Sequence, residues 1–157
     1  MASVVTITGA KQGTFKGEGI KVTETDNRIP VLDFGYEVIS PRDAGSGQAS
    51  GKRQHRPITF VKMWGPATPQ IFQALVSNEL LKSVLFEFTR SDAAGKETVF
   101  QTVKLTNASV SGFKEYTQPN GKGGTDDFDL VSLTFQKIEI TNNDGKTTAS
   151  DDWTPAA

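Results

Sequence analysis

Phe128-Asp-Leu-Val-Ser-Leu-Thr-Phe-Gln-Lys-Ile-Glu-Ile-Thr141 is the stretch whose reading decides the fold. Val131, Leu133 and Phe135 fall on alternate positions, the two-residue period of a strand with one buried face. Ile138 and Ile140 follow with the opposite parity. A one-residue slip exchanges the two faces of a strand, so a flat strand cannot bury both sets on one side. A bulge near Gln136–Lys137, or a bend that serves two packing surfaces, reconciles them. Long, coiled, bulged strands are what a closing sheet needs. The expected class is mainly β, a β-rich and mostly antiparallel barrel.

The rest of the chain agrees with that reading. Thr98–Phe113 places Val99, Val103 and Leu105 in one register, and Ser83–Arg90 places Val84, Phe86 and Phe88 on one face. Pro57–Trp64 alternates Ile58, Phe60 and Lys62. Pro30–Ile39 aligns Leu32, Phe34, Tyr36 and Val38, and Ser3–Thr8 sets Val5 and Ile7 against Val4, Thr6 and Thr8. All five read as strands. One segment has another period: Ile71, Phe72, Leu75 and Val76 within Ala67–Asn78 form a stripe at helical spacing. Thr68 suits a cap, Pro69 the first helical position and Asn78 a stop. One short α-helix is therefore expected on the flank of the barrel. Asp92–Gly95 and Asn120–Gly124 read as turns between strands. The longest irregular piece is Pro41–Arg56, too long and too polar for an ordinary connection, and so expected to be functional or disordered.

Composition narrows the chemistry. Of the 157 residues, 36% are hydrophobic, and the 15 glycines bring the apolar share near the globular norm of roughly 45–50%. One domain is the default at this length: residues 1–145, followed by a polar and loosely held tail, 146–157, carrying Asp151, Asp152 and Pro155. Lys and Arg number 17 against 18 Asp and Glu, a net charge of −1, which argues against a nucleic-acid binder reliant on excess positive charge. The absence of cysteine excludes disulfides, cysteine–zinc sites and cysteine nucleophiles. The sole histidine, His55, excludes any site needing two. The first residues carry no basic, apolar signal-peptide pattern, and no run is long enough for a membrane-spanning helix. The expectation is a soluble product of the cytoplasm with no membrane insertion.

Candidate reactive motifs fail on inspection. Gly47-Gln-Ala-Ser-Gly51-Lys52 is one residue short of a phosphate-binding loop, has Arg53 where Ser or Thr should hold magnesium, and leads into a strand. Asp126, Asp127 and Asp129 lack the calcium-loop pattern and read as a solvated start of a strand. His55 has no assignable nucleophile or orienting carboxylate, so it reads as a surface or contact-forming residue. Asn107-Ala-Ser109 matches a glycosylation triplet but falls within a strand. Trp64, beside a turn, reads as a core or hinge plug before a ligand platform. No catalytic residue, cofactor or metal site is assigned.

The order of elements carries a resemblance. Ile29-Pro-Val-Leu-Asp-Phe-Gly-Tyr-Glu-Val38 precedes the long Gly/Ser-rich loop. Ile58-Thr-Phe-Val-Lys-Met-Trp64 then leads to Ala67-Thr-Pro-Gln-Ile-Phe-Gln-Ala-Leu75, and the chain closes through Leu133-Thr-Phe-Gln-Lys-Ile-Glu-Ile140. From residue 3 to residue 142 this resembles the haemolysin-coregulated protein (Hcp) family, the tube subunits of bacterial type VI secretion. The resemblance implies a small antiparallel β-barrel of two packed sheets with one flanking short α-helix, and a homohexamer whose rings stack into a hollow tube, enclosed by a contractile sheath and capped by a valine-glycine repeat spike. It implies small effectors in the lumen, and assembly in the bacterial cytoplasm followed by secretion without a signal peptide. It further implies that the 41–56 loop reaches from ring to ring, making Arg42, Asp43, Lys52, Arg53, His55 and Arg56 the candidate stacking contacts. Two other readings stand beside it. One is the tail tube of a phage-like contractile particle. The other is a monomeric carbohydrate-binding β module with Trp64, Tyr36 and Tyr116 as platforms. A role as an enzyme is not expected.

Overall fold

The computed structural model describes residues 2–18 and 27–152. Among these, the alternating stretches form β1 (Ala2–Gly9), β2 (Gly13–Thr14), β3 (Ile29–Pro30), β4 (Asp33–Gly35), β5 (Val38–Ile39), β6 (Gln54–His55) and β7 (Ile58–Met63). The helix α1 (Ala67–Val76) follows, then β8 (Leu81–Ser91), β9 (Glu97–Pro119), β10 (Thr125–Asn142) and β11 (Thr147–Asp152). The chain is mainly β with one short helix, and its pairings are antiparallel.

Everything hangs on the long hairpin of β9 and β10. Its base half joins β8 on one side and β11 on the other, while its tip half joins β7. The hydrogen-bonded path runs β2-β1-β8-β9-β10-β7-β4. The Ile29–Gly35 segment connects the two ends of that path, because β3 pairs β1 and β4 pairs β7. Between them Val31 N–H donates to the Ser3 carbonyl (2.9 Å) and Leu32 N–H to the Val61 carbonyl (2.8 Å). The layout is barrel-like, and its two packed layers are continuous through the hairpin. Phe34 lies edge-on to Phe86 and Phe88 with centroids 4.8 and 5.1 Å apart, and Phe60 to Phe86 at 5.5 Å, joining the β4–β7 wall to β8 across the core.

The parity change in β10 is present. Val131, Leu133 and Phe135 are buried, and then Ile138. Its partner changes face at the same level, from Val103 and Leu105 to Ala108 and Val110. The pairs on either side, Phe135↔Ala108 and Lys137↔Thr106, stay in one register, so no residue is inserted there. Asn107 makes the change instead: its φ is 52°, a left-handed conformation that Asn tolerates better than most, and its side-chain amide donates to Gln136 Oε1 at 2.9 Å. The inserted residue lies nearer the tip. Ser132↔Gly112 and Leu133↔Val110 leave Ser111 unopposed, so the bulge belongs to β9 rather than to Gln136–Lys137.

Three other expectations are corrected. Pro30–Ile39 is not one strand: it breaks into β3, β4 and β5 because it passes from β1 to β7 and then leaves the wall, with Leu32 and Val38 exposed and Val31 buried. The tail is not loose through Asp152, since Thr147–Asp152 pairs with Lys137–Asn142 after a turn whose Gly145 N–H donates to Asn142 Oδ1 (2.8 Å); residues 153–157 lie outside those described. Thr68 does not cap α1. Pro66 occupies the cap position, and the Thr68 hydroxyl donates to Asp129 Oδ2 (2.6 Å) and accepts from Gly65 N–H (3.0 Å). The helix buries Ala67, Ile71 and Ala74, partly Leu75, and leaves Phe72 and Val76 exposed; it ends before Asn78, whose φ is 51°.

Candidate functional site

Residues 38–55 form an arm rather than an unstructured loop. Val38↔His55 and Ile39↔Gln54 pair at its root, and Arg42↔Ala49 bridge further out. Asp43 organises the tip: its carboxylate accepts from Ser46 N–H (3.0 Å) and Oγ–H (2.7 Å), and its carbonyl accepts from Gly47 N–H (2.8 Å). The Ser46 hydrogen bonds hold the Asp43 carboxyl below its ordinary range. Gly47, with φ 72°, supplies the left-handed residue this turn requires. Every residue from Arg42 to Gln54 is exposed.

The six sequence candidates separate into two groups. Arg42, Asp43 and Lys52 lie on the exposed arm. Arg53, His55 and Arg56 engage their own chain. His55 is turned inward, with its side chain only 3% exposed. Its Nδ1 lies 2.8 Å from the Tyr36 hydroxyl and its Nε2 2.7 Å from Asp151 Oδ2, and its ring meets Phe135 at 5.3 Å between centroids. Arg53 Nε donates to Asp151 Oδ2, and Nη2 to Asp151 Oδ1 at 2.8 Å. Hydrogen bonds from Arg53 and then His55 hold the Asp151 carboxyl below its ordinary value. Burial, aided by the Asp151 charge, raises the Tyr36 phenol. Arg56 pairs with Glu37 at 3.3 Å on the surface. Sequence reading missed Tyr36, Glu37 and Asp151 as partners. Asp151 was assigned to a loose tail, and no spacing rule connects residues 96 positions apart.

A second polar cluster lies at the tip end of β7 and β10. Lys62 is wholly buried, and its Nζ meets Glu18 Oε1 (2.7 Å), the Met63 carbonyl (2.9 Å), Thr68 Oγ1 (3.0 Å) and Asp129 Oδ2 (3.0 Å). Asp129 is therefore no solvated start of a strand; it is fully buried, and its Oδ1 makes no hydrogen bond. Next to this cluster runs a largely apolar groove of about 410 Å³ lined by Leu32, Met63, Trp64, Pro66 and Glu18. Trp64 lines it while its indole N–H donates to the Phe128 carbonyl at 2.9 Å. Neither Tyr36 nor Tyr116 lines that groove. Among the described residues, no three of His, Asp and Glu are placed to hold a metal ion. No helix there is long and apolar enough to cross a membrane.

Comparison with known proteins identifies the architecture. A family model described as "Type VI secretion system effector, Hcp" matches residues 5–141. The chain belongs to the Hcp family. The "Major exported protein" of Pseudomonas aeruginosa is 32% identical over 160 residues, covering 95% of this chain and 93% of that protein. A crystal structure described as an Hcp protein superposes with a TM-score of 0.87 at 26% identity, covering 98% and 99% of the two chains. The secreted protein Hcp3 of Pseudomonas aeruginosa superposes with a TM-score of 0.78 at 27% identity, over 96% and 99%. The Hcp match takes in the arm, the helix and the Lys62 cluster, with Tyr36, Arg53 and His55 of the arm cluster, while Asp151 lies ten residues past its last matched position.

Proposed function

We propose that this Hcp-family chain is a non-catalytic structural subunit of a type VI secretion tube. Six copies close into a ring, and rings stack into a hollow conduit inside a contractile sheath, beneath a valine-glycine repeat spike. The tube assembles in the bacterial cytoplasm and is driven out with small effectors in its lumen. Family membership supports this reading, as does the relative described as an exported protein.

The observation that carries it is the arm. A hydrogen-bonded ladder in which every residue from Arg42 to Gln54 is exposed gains almost no burial for the conformational entropy spent in ordering it. Such a segment serves contact with another molecule. Arg42, Asp43 and Lys52 are then the contact residues between stacked rings, and Arg53, His55 and Arg56 fix the direction of the arm. A head-to-tail stack needs two different complementary surfaces on each copy, and the arm supplies one of them.

The test is assembly. Size-exclusion chromatography with light scattering should give a mass near six subunits. Deleting Gly45–Gly51 should preserve that mass and the β spectrum while abolishing tubes in electron micrographs. A strict monomer at high concentration, or tubes unchanged by the deletion, would overturn the proposal.

A further inference from the structure

Both legs of the arm are tied to a single carboxylate on the last described strand. The outgoing leg leaves the wall at Tyr36, between β4 and β5, and the returning leg arrives through Arg53 and His55. His55 bridges the Tyr36 hydroxyl to Asp151, and Arg53 engages both oxygens of the same Asp151. Beside them is an open, largely apolar groove of about 260 Å³, lined by Val38, Ile138, Ile140 and Ala149 among others. Polar bonds hold the legs together with the packing of the His55 ring against Phe135. The strand that carries Asp151, Thr-Thr-Ala-Ser-Asp-Asp, has no large apolar side chain of its own. It depends on its β10 ladder and on these same bonds.

We propose that Tyr36, Arg53, His55 and Asp151 form a latch that couples the seating of β11 to the direction of the arm. It makes the C-terminal strand a control point for the contact between rings; that last step rests on the structural-subunit reading. Release of Asp151 frees both legs together. The latch tolerates either charge state of the histidine. In the neutral ring Nε2–H donates to Asp151 and Nδ1 accepts from the Tyr36 hydroxyl. In the protonated ring both nitrogens donate, and the Tyr36 oxygen accepts. The groups around His55 include Tyr36 from the outgoing leg, Arg53 from the returning leg through their shared Asp151, Asp151 itself from β11 and the apolar Phe135 from β10. Because the folded Asp151 carboxyl lies below its unfolded value, its contribution is complete above the ordinary carboxylate range and is lost only as pH falls through the lowered value. The arm keeps its direction wherever the Asp151 carboxylate stays ionised.

Hydrogen–deuterium exchange on the full chain tests the coupling. Asp151→Asn should speed exchange at residues 36–42, 53–56 and 147–152 together, by about tenfold, with β8 unchanged. Tyr36→Phe, which removes one hydroxyl and no charge, should loosen the arm legs by a smaller factor. In wild type, the arm's exchange, corrected for intrinsic rate, should stay flat between about pH 5 and 8. A response confined to 147–152 in Asp151→Asn, or an arm that loosens in wild type within that pH range, would overturn the latch. Light scattering and electron microscopy of Asp151→Asn should show rings kept and stacks lost. If wild type forms no rings, the structural-subunit reading fails while the exchange data still decide the coupling.

Discussion

The two ends of the β9–β10 hairpin solve the same packing problem with opposite polarity. At the base, the inward positions are apolar (Val103, Leu105, Ile138), and the outward ones are Lys104, Lys137 and Glu139. At the tip, the inward positions include the ions Lys62 and Asp129, and the outward alternates are Met63, Phe128 and Leu130, with exposed Trp64 beside them. An ordinary half-buried sheet keeps one polarity on each face along its whole length. The tip departs from this because Lys62 gathers Glu18, Thr68 and Asp129 from a loop, the helix start and β10. A buried ion pair is weak evidence for stability but strongly penalises any arrangement that parts its members. The base is held by burial, the tip by satisfaction of one ammonium.

That contrast breaks most severely at Lys62. Lys62→Met leaves Glu18 and Asp129 near each other without their cation, and should cost about 3–5 kcal/mol in denaturant unfolding. Adding Asp129→Leu and Glu18→Gln to Lys62→Met should recover most of that loss, because the buried charge is then gone from both sides. At the junction of the two ends, Asn107→Val forces a β-branched residue to φ 52° and removes the bond to Gln136; about 1–3 kcal/mol should be lost. Asn107→Gly, measured by the same unfolding curve, should stay within about 1 kcal/mol of wild type. The smallest effect is expected on the outer face of the tip. Met63→Ser should change the stability of the isolated chain by no more than about 0.5 kcal/mol, since Met63 is nearly half exposed.

What the sequence made legible follows the same division. Apolar alternation located β7, β8, β9, β10 and the helix because burial of Phe60, Phe86, Leu105 and Val131 leaves a periodic trace. Lys62 was visible at an inward position beside Ile58 and Phe60, but the type of a residue does not reveal a partner 44 or 67 positions away. The parity change in β10 was legible, whereas its cause was not: the left-handed residue sits on the neighbouring strand, at Asn107. The arm was recognised by its length, yet His55 and Arg53 read as outward contacts because Asp151 lay in a stretch without apolar pattern. Strand β11 has no hydrophobic alternation at all; only its pairing with β10 defines it.

The Ile29–Gly35 segment has a consequence for how copies meet. By lying against β1 with its first residues and β7 with its last, it occupies main-chain donors and acceptors that would otherwise sit on open margins. Of the two longest strands, β10 is flanked by paired neighbours for most of its length and β9 over residues 101–108, while the outermost pieces of the path, β2 and β4, are only two or three residues long. Cross-β growth between molecules therefore finds little backbone template at the β2 and β4 ends of the path. At those two ends, any contact with another copy falls to side chains, whose chemistry limits where it stops.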